Sequence, residues 1–280
     1  MQRRVRDLIP DSVIITRNHV SCHNKMPRFF KPLTFNEKIY HIKMGSWLLD
    51  KSKYVDKYAV RDYVRQTLGE QYLPELYAVY QTAEEFDLSV LPTSFVLKLN
   101  NGSGSNLVVV DKSKVSEDDI KLLIQKWLNS NFYKNWREKQ YKRVNQCVIC
   151  EQYLEDSSGA LRDYKIFCSN KKAIFTQVDT QRATDHIQTF YDTSWNKLDV
   201  TYASQAVDTV EKCPQRYDEM LQLAEKIAVS FPFVRVDFYE VEGRIYFGEI
   251  TFTPNNGMIA FKPYEKEVEF GKLIDLTQYK

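Results

Sequence analysis

Arg235, Asp237 and Glu249 stand among large apolar residues in FVRVDFYEVEGRIYFGEITFTPNNG, residues 233–257. Val234, Val236 and Phe238 recur at period two and read as the inward face of a strand, which leaves Arg235, Asp237 and Tyr239 on the other face. A second apolar run after Glu242-Gly243 carries Glu249 and Thr251, again two apart and so on one side. The two sets share a face if the turn holds an odd number of residues, such as Val241-Glu242-Gly243 with Gly243 supplying a bulge. Two carboxylates and a guanidinium then converge. Paired carboxylates repel unless a cation joins them, and hard oxygen ligands select Mg²⁺, which keeps waters and bridges substrate phosphates. A fixed guanidinium beside them suits a phosphoryl group in transfer. The competing reading is a solvated face on an edge hairpin, with Arg235 and Asp237 in a surface pair of little worth.

A second candidate lies upstream, where TSFVLKLN reads as a strand, NGSGSN as a loop and LVVVD as a further strand. A phosphate loop of the GK[ST] type or a dinucleotide fingerprint must open a helix, and this loop joins two strands, so both are rejected. An ordinary hairpin turn and a glycine flap whose N–H groups close over phosphates remain. Lys98, inside an apolar strand, must either snorkel outward or meet an anion.

The elements that must position these groups are legible in outline. Thr34 is placed to cap a helix with Glu37 completing the box. DKSKYVDKYAVRDYVRQTLG reads as one helix ending near Gly69, followed by a strand or loop at Pro74 and a short helix near Glu84. Ser116 opens an amphipathic helix with Ile120, Leu123, Ile124 and Trp127 on one stripe. NFYKNWREKQYKRVNQ mixes bases with aromatics and reads either as a helix with a core stripe and a basic face, or as a surface that stacks and charge-pairs with an acidic sugar. Strands follow at 147–154, RDYKIF and AIFTQV, then a helix over about 215–229. Helices, a two-strand flap, a helix and a mostly antiparallel sheet make an α+β layout.

Composition narrows the partners. The 280 residues are 43% hydrophobic and carry 39 basic against 37 acidic side chains, so nothing in the overall charge seeks nucleic acid. The N-terminal stretch has only a four-residue apolar run after Pro10, too short for a secretory or spanning segment, and a cytoplasmic location is expected. Five cysteines without an export signal read as reduced thiols; Cys147 and Cys150 form a CxxC with no second ligand pair, and read as a buried strand rather than a zinc site. His19, His23, His41 and His186 show no metal-ligand spacing.

Taken in order, TFNEK (34–38), DKY-x-VR (56–61), K-x-NNGSG (98–104), DYK-x-F (163–167) and E-I-TFTP (249–254) resemble the ATP-grasp superfamily, and within it the TupA-like, teichuronopeptide-biosynthesis branch. The resemblance runs over roughly residues 30–262. It implies two α+β subdomains gripping a nucleotide, with a helical N-terminal segment: 1–70 helical, 71–146 the small subdomain with the flap, 147–280 the large subdomain with the metal-binding hairpin. It further implies that Lys98 contacts nucleotide phosphates and that Gly102, Ser103, Gly104 and Ser105 close over them. Glu151, Gln152, Tyr153 and Leu154 resemble the hinge whose backbone reads adenine, and Asp163 occupies the place of a ribose contact. Lys165 and Arg182 match basic positions near the γ-phosphate or acceptor, Arg235 the transition-state arginine, and Asp237 and Glu249 the Mg²⁺ ligands. The superfamily's Glu-x-Asn is here Glu249-x-Thr251. A hydroxyl is the poorer ligand, so Asn255 is the alternative.

The activity so implied is an ADP-forming carboxylate–amine ligase that uses ATP and Mg²⁺ and works through an acyl phosphate. Its substrates would be a uronic acid or other carboxylate of a cell-surface polysaccharide such as a capsule, and an amino acid or amine; a polysaccharide-assembly complex is the implied partner. The rivals are a phosphotransferase acting on a sugar hydroxyl, a glycosyltransferase, which would need a nucleotide-sugar site and for which no DxD motif is present, and a nucleotide-binding module without turnover.

Overall fold

The computed structural model describes residues 8–156, 161–180, 186–202 and 209–279. The chain begins with helices α1 (Asp11–His23), α2 (Phe35–Met44), α3 (Ser52–Val55) and α4 (Val60–Thr67). Strands β1 (Leu76–Tyr80), β2 (Phe95–Leu99) and β3 (Asn106–Val109) follow, then α5 (Glu117–Leu128), α6 (Phe132–Trp136) and β4 (Val148–Gln152). Next come β5 (Asp163–Ser169), β6 (Lys172–Thr180), β7 (Ile187–Tyr191) and β8 (Thr201–Tyr202). The chain closes with α7 (Tyr217–Ala228), β9 (Phe233–Val241), β10 (Arg244–Thr251), β11 (Phe261–Lys262) and α8 (Tyr264–Lys272). Among the described residues no helix is long and apolar enough to cross a membrane.

Two antiparallel sheets carry the architecture, one in the order β1-β4-β2-β3 and the other β10-β9-β5-β6-β7. In the first, Phe95, Leu97 and Leu99 turn inward onto Ile120, Ile124 and Trp127 of α5. Alternation therefore sends Lys98 to the opposite face. Since β4 pairs with both β1 and β2, the expected boundary at 146/147 cuts through this sheet; the strand belongs with the small subdomain. A run such as CVICEQ is buried on both sides, and its periodicity carries no label for the sheet it joins. Cys147 and Cys150 are buried within it, and burial pushes both thiols up to about 12.

The second sheet has two unlike faces. Val234, Val236, Phe238 and Ile166 pack with Met220, Leu223, Ala224 and Ile227 of α7 in a shared core. The opposite face is divided. At one end Phe167 stacks on Phe175 at 4.3 Å and Phe175 on Phe270 of α8 at 4.2 Å, with the Phe35 ring of α2 edge-on to Phe167. At the other end the side chains are charged and line a cavity.

Three local readings are corrected. The stretch 51–69 is two short helices, because Asp56 leaves the helical region at ψ 113 and turns its carboxylate onto the N–H groups of Tyr58 and Ala59. Residues near Glu84 form turns, in which Glu85 accepts from Gln81 N–H, and no helix. The third concerns the hairpin. Val241 pairs with Arg244, so the turn holds two residues, Glu242 and Gly243, both left-handed at φ 50 and 72. A two-residue turn alone would set Asp237 opposite Gly248 and swing Glu249 to the core face. The bulge sits at Gly248 instead, and beyond it Glu249 pairs with Asp237 and Thr251 with Arg235.

The TFNEK cap forms as read: Thr34 Oγ1 accepts from Glu37 N–H and the Glu37 carboxylate takes the Thr34 N–H. It orients α2, whose Asn36 donates to Glu267 of α8. Replacing Thr34 by alanine should cost about 1 kcal/mol in a urea titration, the usual worth of an N-cap hydroxyl.

Candidate active site

Strand register builds the floor of the site. Glu249, Asp237, Lys165 and Gln177 stand in one row across β10, β9, β5 and β6; Tyr239, Asp163, Asp179 and Gln188 form the next row across β9, β5, β6 and β7. Arg235 and Thr251 lie in the row beyond. The Arg235 guanidinium donates to both oxygens of Asp237 at 2.7 Å, to Glu249 Oε1 at 2.7 Å and to Thr251 Oγ1 at 3.1 Å. Lys165 Nζ donates to Asp237 at 2.9 Å and to Asp163 at 2.5 Å, with Asp179 at 3.8 Å. His186 Nε2 stands 3.2 Å from Asp179.

Asp163, Lys165, Asp179, Arg235 and Asp237 are buried, and Glu249 is half-buried. Burial opposes the charge on Lys165, yet Asp163 and Asp237 hold its ammonium above the ordinary lysine range. Burial likewise opposes Glu249, but Arg235, then Lys57 and Lys165, hold its carboxyl down to about 2. Asp237 is pushed up to about 6 by burial against the pull of Arg235 and Lys165.

The small sheet supplies the facing wall. Lys98 meets an anion, as its place in β2 demands: Nζ donates to Glu151 Oε2 at 2.8 Å, and Arg61 holds the other oxygen at 2.7 Å. Lys57, half-buried behind the glycine loop, donates to the Gly102 carbonyl at 2.7 Å. The loop closes a β2–β3 hairpin in which Lys98 pairs with Asn106, and Gly102 and Gly104 take φ of 70 and 80. Between floor and wall lies a cavity of about 680 Å³, bounded by the loop, by Phe132, Trp136, Glu138 and Tyr141, and by Thr253 and Asn255.

The family model described as TupA-like ATPgrasp matches residues 37–275. The chain belongs to that family. No curated protein matches it. Among solved structures, a D-alanine–D-alanine ligase from Bacillus anthracis shares 17% identity over 72% of this chain and 58% of its own, with a TM-score of 0.43. The same enzyme complexed with ATP gives 16%, 81%, 64% and 0.44. The ATP-grasp ligase PsnB, complexed with a phosphomimetic precursor variant, Mg and ADP, gives 13%, 82%, 60% and 0.41. The chain thus spans about 60% of the length of these ligases.

Within this TupA-like ATP-grasp chain, Lys98, Gly102, Ser103, Gly104, Ser105, Asp163, Lys165, Arg235, Asp237, Glu249, Thr251 and Asn255 all line the one cavity. Others stand elsewhere. Glu151 and Gln152 are in the β4 ladder opposite Val96 and Phe95, and the Glu151 carboxylate anchors Lys98 and Arg61. Only Tyr153 and Leu154 of the expected hinge follow the strand end. Asp163 lies on the charged floor against Lys165. Arg182 lies outside the described residues.

The basic and aromatic stretch 132–143 is divided. Phe132, Trp136 and Tyr141 line the cavity, whereas Tyr133 donates to Asp11, Arg137 pairs with Asp11, Lys139 donates to the carbonyls of Met44 and Gly45, and Arg143 pairs with Asp50 at the surface. Helical periodicity failed here because α6 lasts five residues and Arg137 then turns left-handed at φ 56. Lys57 and Glu138 are the site residues that sequence reasoning missed; Lys57 was in view inside DKY-x-VR, whereas nothing local marks Glu138.

The oxygen donors fit an Mg²⁺ shared with nucleotide phosphates. Glu249 Oε2 has no donor among the described residues, and its side chain is 37% exposed toward the cavity. Thr251 gives its proton to Glu249 and accepts from Arg235, so its hydroxyl is engaged, while Asn255 lines the cavity. One or two carboxylates plus phosphate oxygens is the usual manner of holding this ion.

Two substitutions test the wall. A Cβ on Gly102 would lie 2.2 Å from the Phe132 ring at a backbone angle that disfavours side chains, so Gly102→Ala should displace the loop and weaken adenine-nucleotide binding at least tenfold by calorimetry. Glu151→Gln leaves Arg61 and Lys98 without their carboxylate; with Arg61 only 5% exposed, unfolding stability should fall by about 3 kcal/mol in denaturant.

Proposed function

We propose that the cavity binds ATP with Mg²⁺ and that the chain is an ADP-forming carboxylate–amine ligase acting through an acyl phosphate. The observation that carries this reading is the meeting, in one cavity, of a cationic wall under a glycine loop with a floor where a guanidinium, an ammonium and an open carboxylate are fixed by strand pairing. The first arrangement suits a polyphosphate, and the second a phosphoryl group in transfer.

Lys98 and Lys57 neutralise phosphate charge from the small-sheet side, and the N–H groups of the loop close over the same oxygens. On the floor, Arg235 is held by three acceptors and Lys165 by two acids, so their positive ends are set before substrate arrives. Such preorganisation favours transfer, because the donors need no rearrangement as charge develops. Bound at Glu249 and Asn255, with Asp237 adjacent, Mg²⁺ would neutralise the phosphate oxygens. A carboxylate oxygen of the first substrate attacks the γ-phosphorus, the bond to the β-bridging oxygen breaks and ADP departs. Enclosure under the loop protects the acyl phosphate from water. The acceptor class implied by family resemblance is a uronic acid or other saccharide carboxylate, stacked on Phe132, Trp136 and Tyr141.

Calorimetric titration with Mg²⁺ and a non-hydrolysable ATP analogue tests the first half. Wild type should bind one nucleotide, and Glu249→Gln should lose at least tenfold in the Mg²⁺-dependent part of the affinity. Release of ADP together with phosphate, in the presence of both substrates, is expected of a ligase; ADP alone would mark a phosphotransferase, and no binding by wild type would overturn the nucleotide reading.

A further inference from the structure

Five carboxylates line the cavity, and four of them sit within 4 Å of a cationic side chain: Asp163, Asp179 and Asp237 beside Lys165, Glu249 beside Arg235. Glu138 does not, among the described residues. It is 6% exposed. Its Oε1 accepts from the Thr253 hydroxyl and, at 3.4 Å, from Gln140 Nε2, which also donates to Thr253 at 2.8 Å. These neutral donors fix one oxygen and the orientation of the group. Nothing among the described residues donates to Oε2.

The charged and titratable groups around it are Lys43 of α2, Glu249 of β10 and Tyr141. Lys43 makes no ion pair within 4 Å of Glu138, its ammonium being bonded to the backbone carbonyl and amide oxygen of Asn256, and from there its charge draws the Glu138 carboxyl down without overcoming burial. A buried carboxylate with no directly bonded counter-ion is costly to keep ionised, so it either takes a proton or receives a cation. Phe132, Trp136 and Tyr141 line the same part of the cavity, and ring faces favour a neighbouring cation.

We propose that Glu138 receives the ammonium group of the amine substrate and accepts its proton. The inference rests on the ligase reading and names its second substrate as a primary amine that arrives charged. One proton passes from the ammonium to Glu138 and later to solvent. The freed nitrogen lone pair attacks the acyl carbonyl, the bond from that carbon to the phosphate-bridging oxygen breaks, and phosphate leaves with the electron pair. The second nitrogen proton leaves with phosphate, and an amide remains. Burial, the largest influence on Glu138, raises its carboxyl above the ordinary range, which suits a proton acceptor.

Hydroxylamine separates this proposal from the reading beneath it, because it is already uncharged at neutral pH and needs no base. Wild type and Glu138→Gln would be given ATP, Mg²⁺ and D-glucuronate with an equimolar mixture of glycinamide and hydroxylamine. The ratio of amide to hydroxamate should fall at least 100-fold in the variant, within the range usual for a lost general base. Hydroxamate formed with an unchanged ratio overturns the role of Glu138 and leaves the ligase standing. Neither product from wild type overturns both. Should the variant not fold, the wild-type protein decides: carbodiimide with glycinamide as the nucleophile must modify Glu138, read by peptide mass, and its sparing while surface acids react overturns the proposal.

Discussion

The constraint from which the rest follows is the burial of Arg235, Lys165 and Asp237 on one sheet face, each 6% exposed or less. Charges taken from water must be matched by partners in fixed places, and only a closely specified backbone can hold those places. Here the matching is done by strand register. Asp237 sits between Arg235 two residues before it and Lys165 across the ladder, and Glu249 completes the set from the far side. A shift of one residue in either pairing would carry these groups into the apolar layer under α7, where none would find a partner.

That constraint explains why the hairpin has the irregularity it does. Glu242-Gly243 makes the tight turn whose twist suits antiparallel strands, but its parity is wrong for the charges. The bulge corrects the parity, and glycine is the residue for it because a Cβ at 248 would stand 3.1 Å from the Asp237 carbonyl and from the Tyr239 ring. The backbone of the strand that carries Glu249 therefore runs close to the strand that bears the arginine. The aromatic layer of Phe167, Phe175 and Phe270 then closes the remainder of that face, so that the charged patch is bounded by packed rings on one side and by the cavity on the other.

How much of this was legible follows the range of the signals. Alternation in FVRVDFYEV, the Thr34 cap, the stripe on α5 and the isolated Lys98 are short-range patterns, and each appears where the residues placed it. Ordered motifs identified the family. What the sequence did not disclose depends on distant partners. The hinge glutamate became a counter-ion because Arg61 and Lys98 converge on it from other elements, and β4 joined the small sheet because β1 and β2 flank it. Glycine 248 gave no sign of a bulge, since inside an apolar strand it reads as one weak residue among many. Arg137 and Lys139 looked available because their partners, Asp11 and the 44–45 carbonyls, lie more than 90 residues upstream.

The two walls solve the same problem in different ways, and the difference bears on how a nucleotide would enter. On the small sheet Glu151 holds Lys98 at one oxygen and Arg61 at the other, so a phosphate approaching Lys98 needs no carboxylate to withdraw: the ammonium, with a quarter of its side chain exposed, has donors to spare. On the floor it is the cation that is shared: Nε and Nη2 of Arg235 serve Asp237, Glu249 and Thr251, and Nη1 has no acceptor among the described residues, so a phosphoryl group could be met there without displacing an acid. The floor keeps an open carboxylate oxygen on Glu249, which faces the cavity while Asp237 is enclosed. A nucleotide would therefore approach the floor more readily with a cation on its phosphates than without one, whereas the small-sheet wall would receive the phosphates directly.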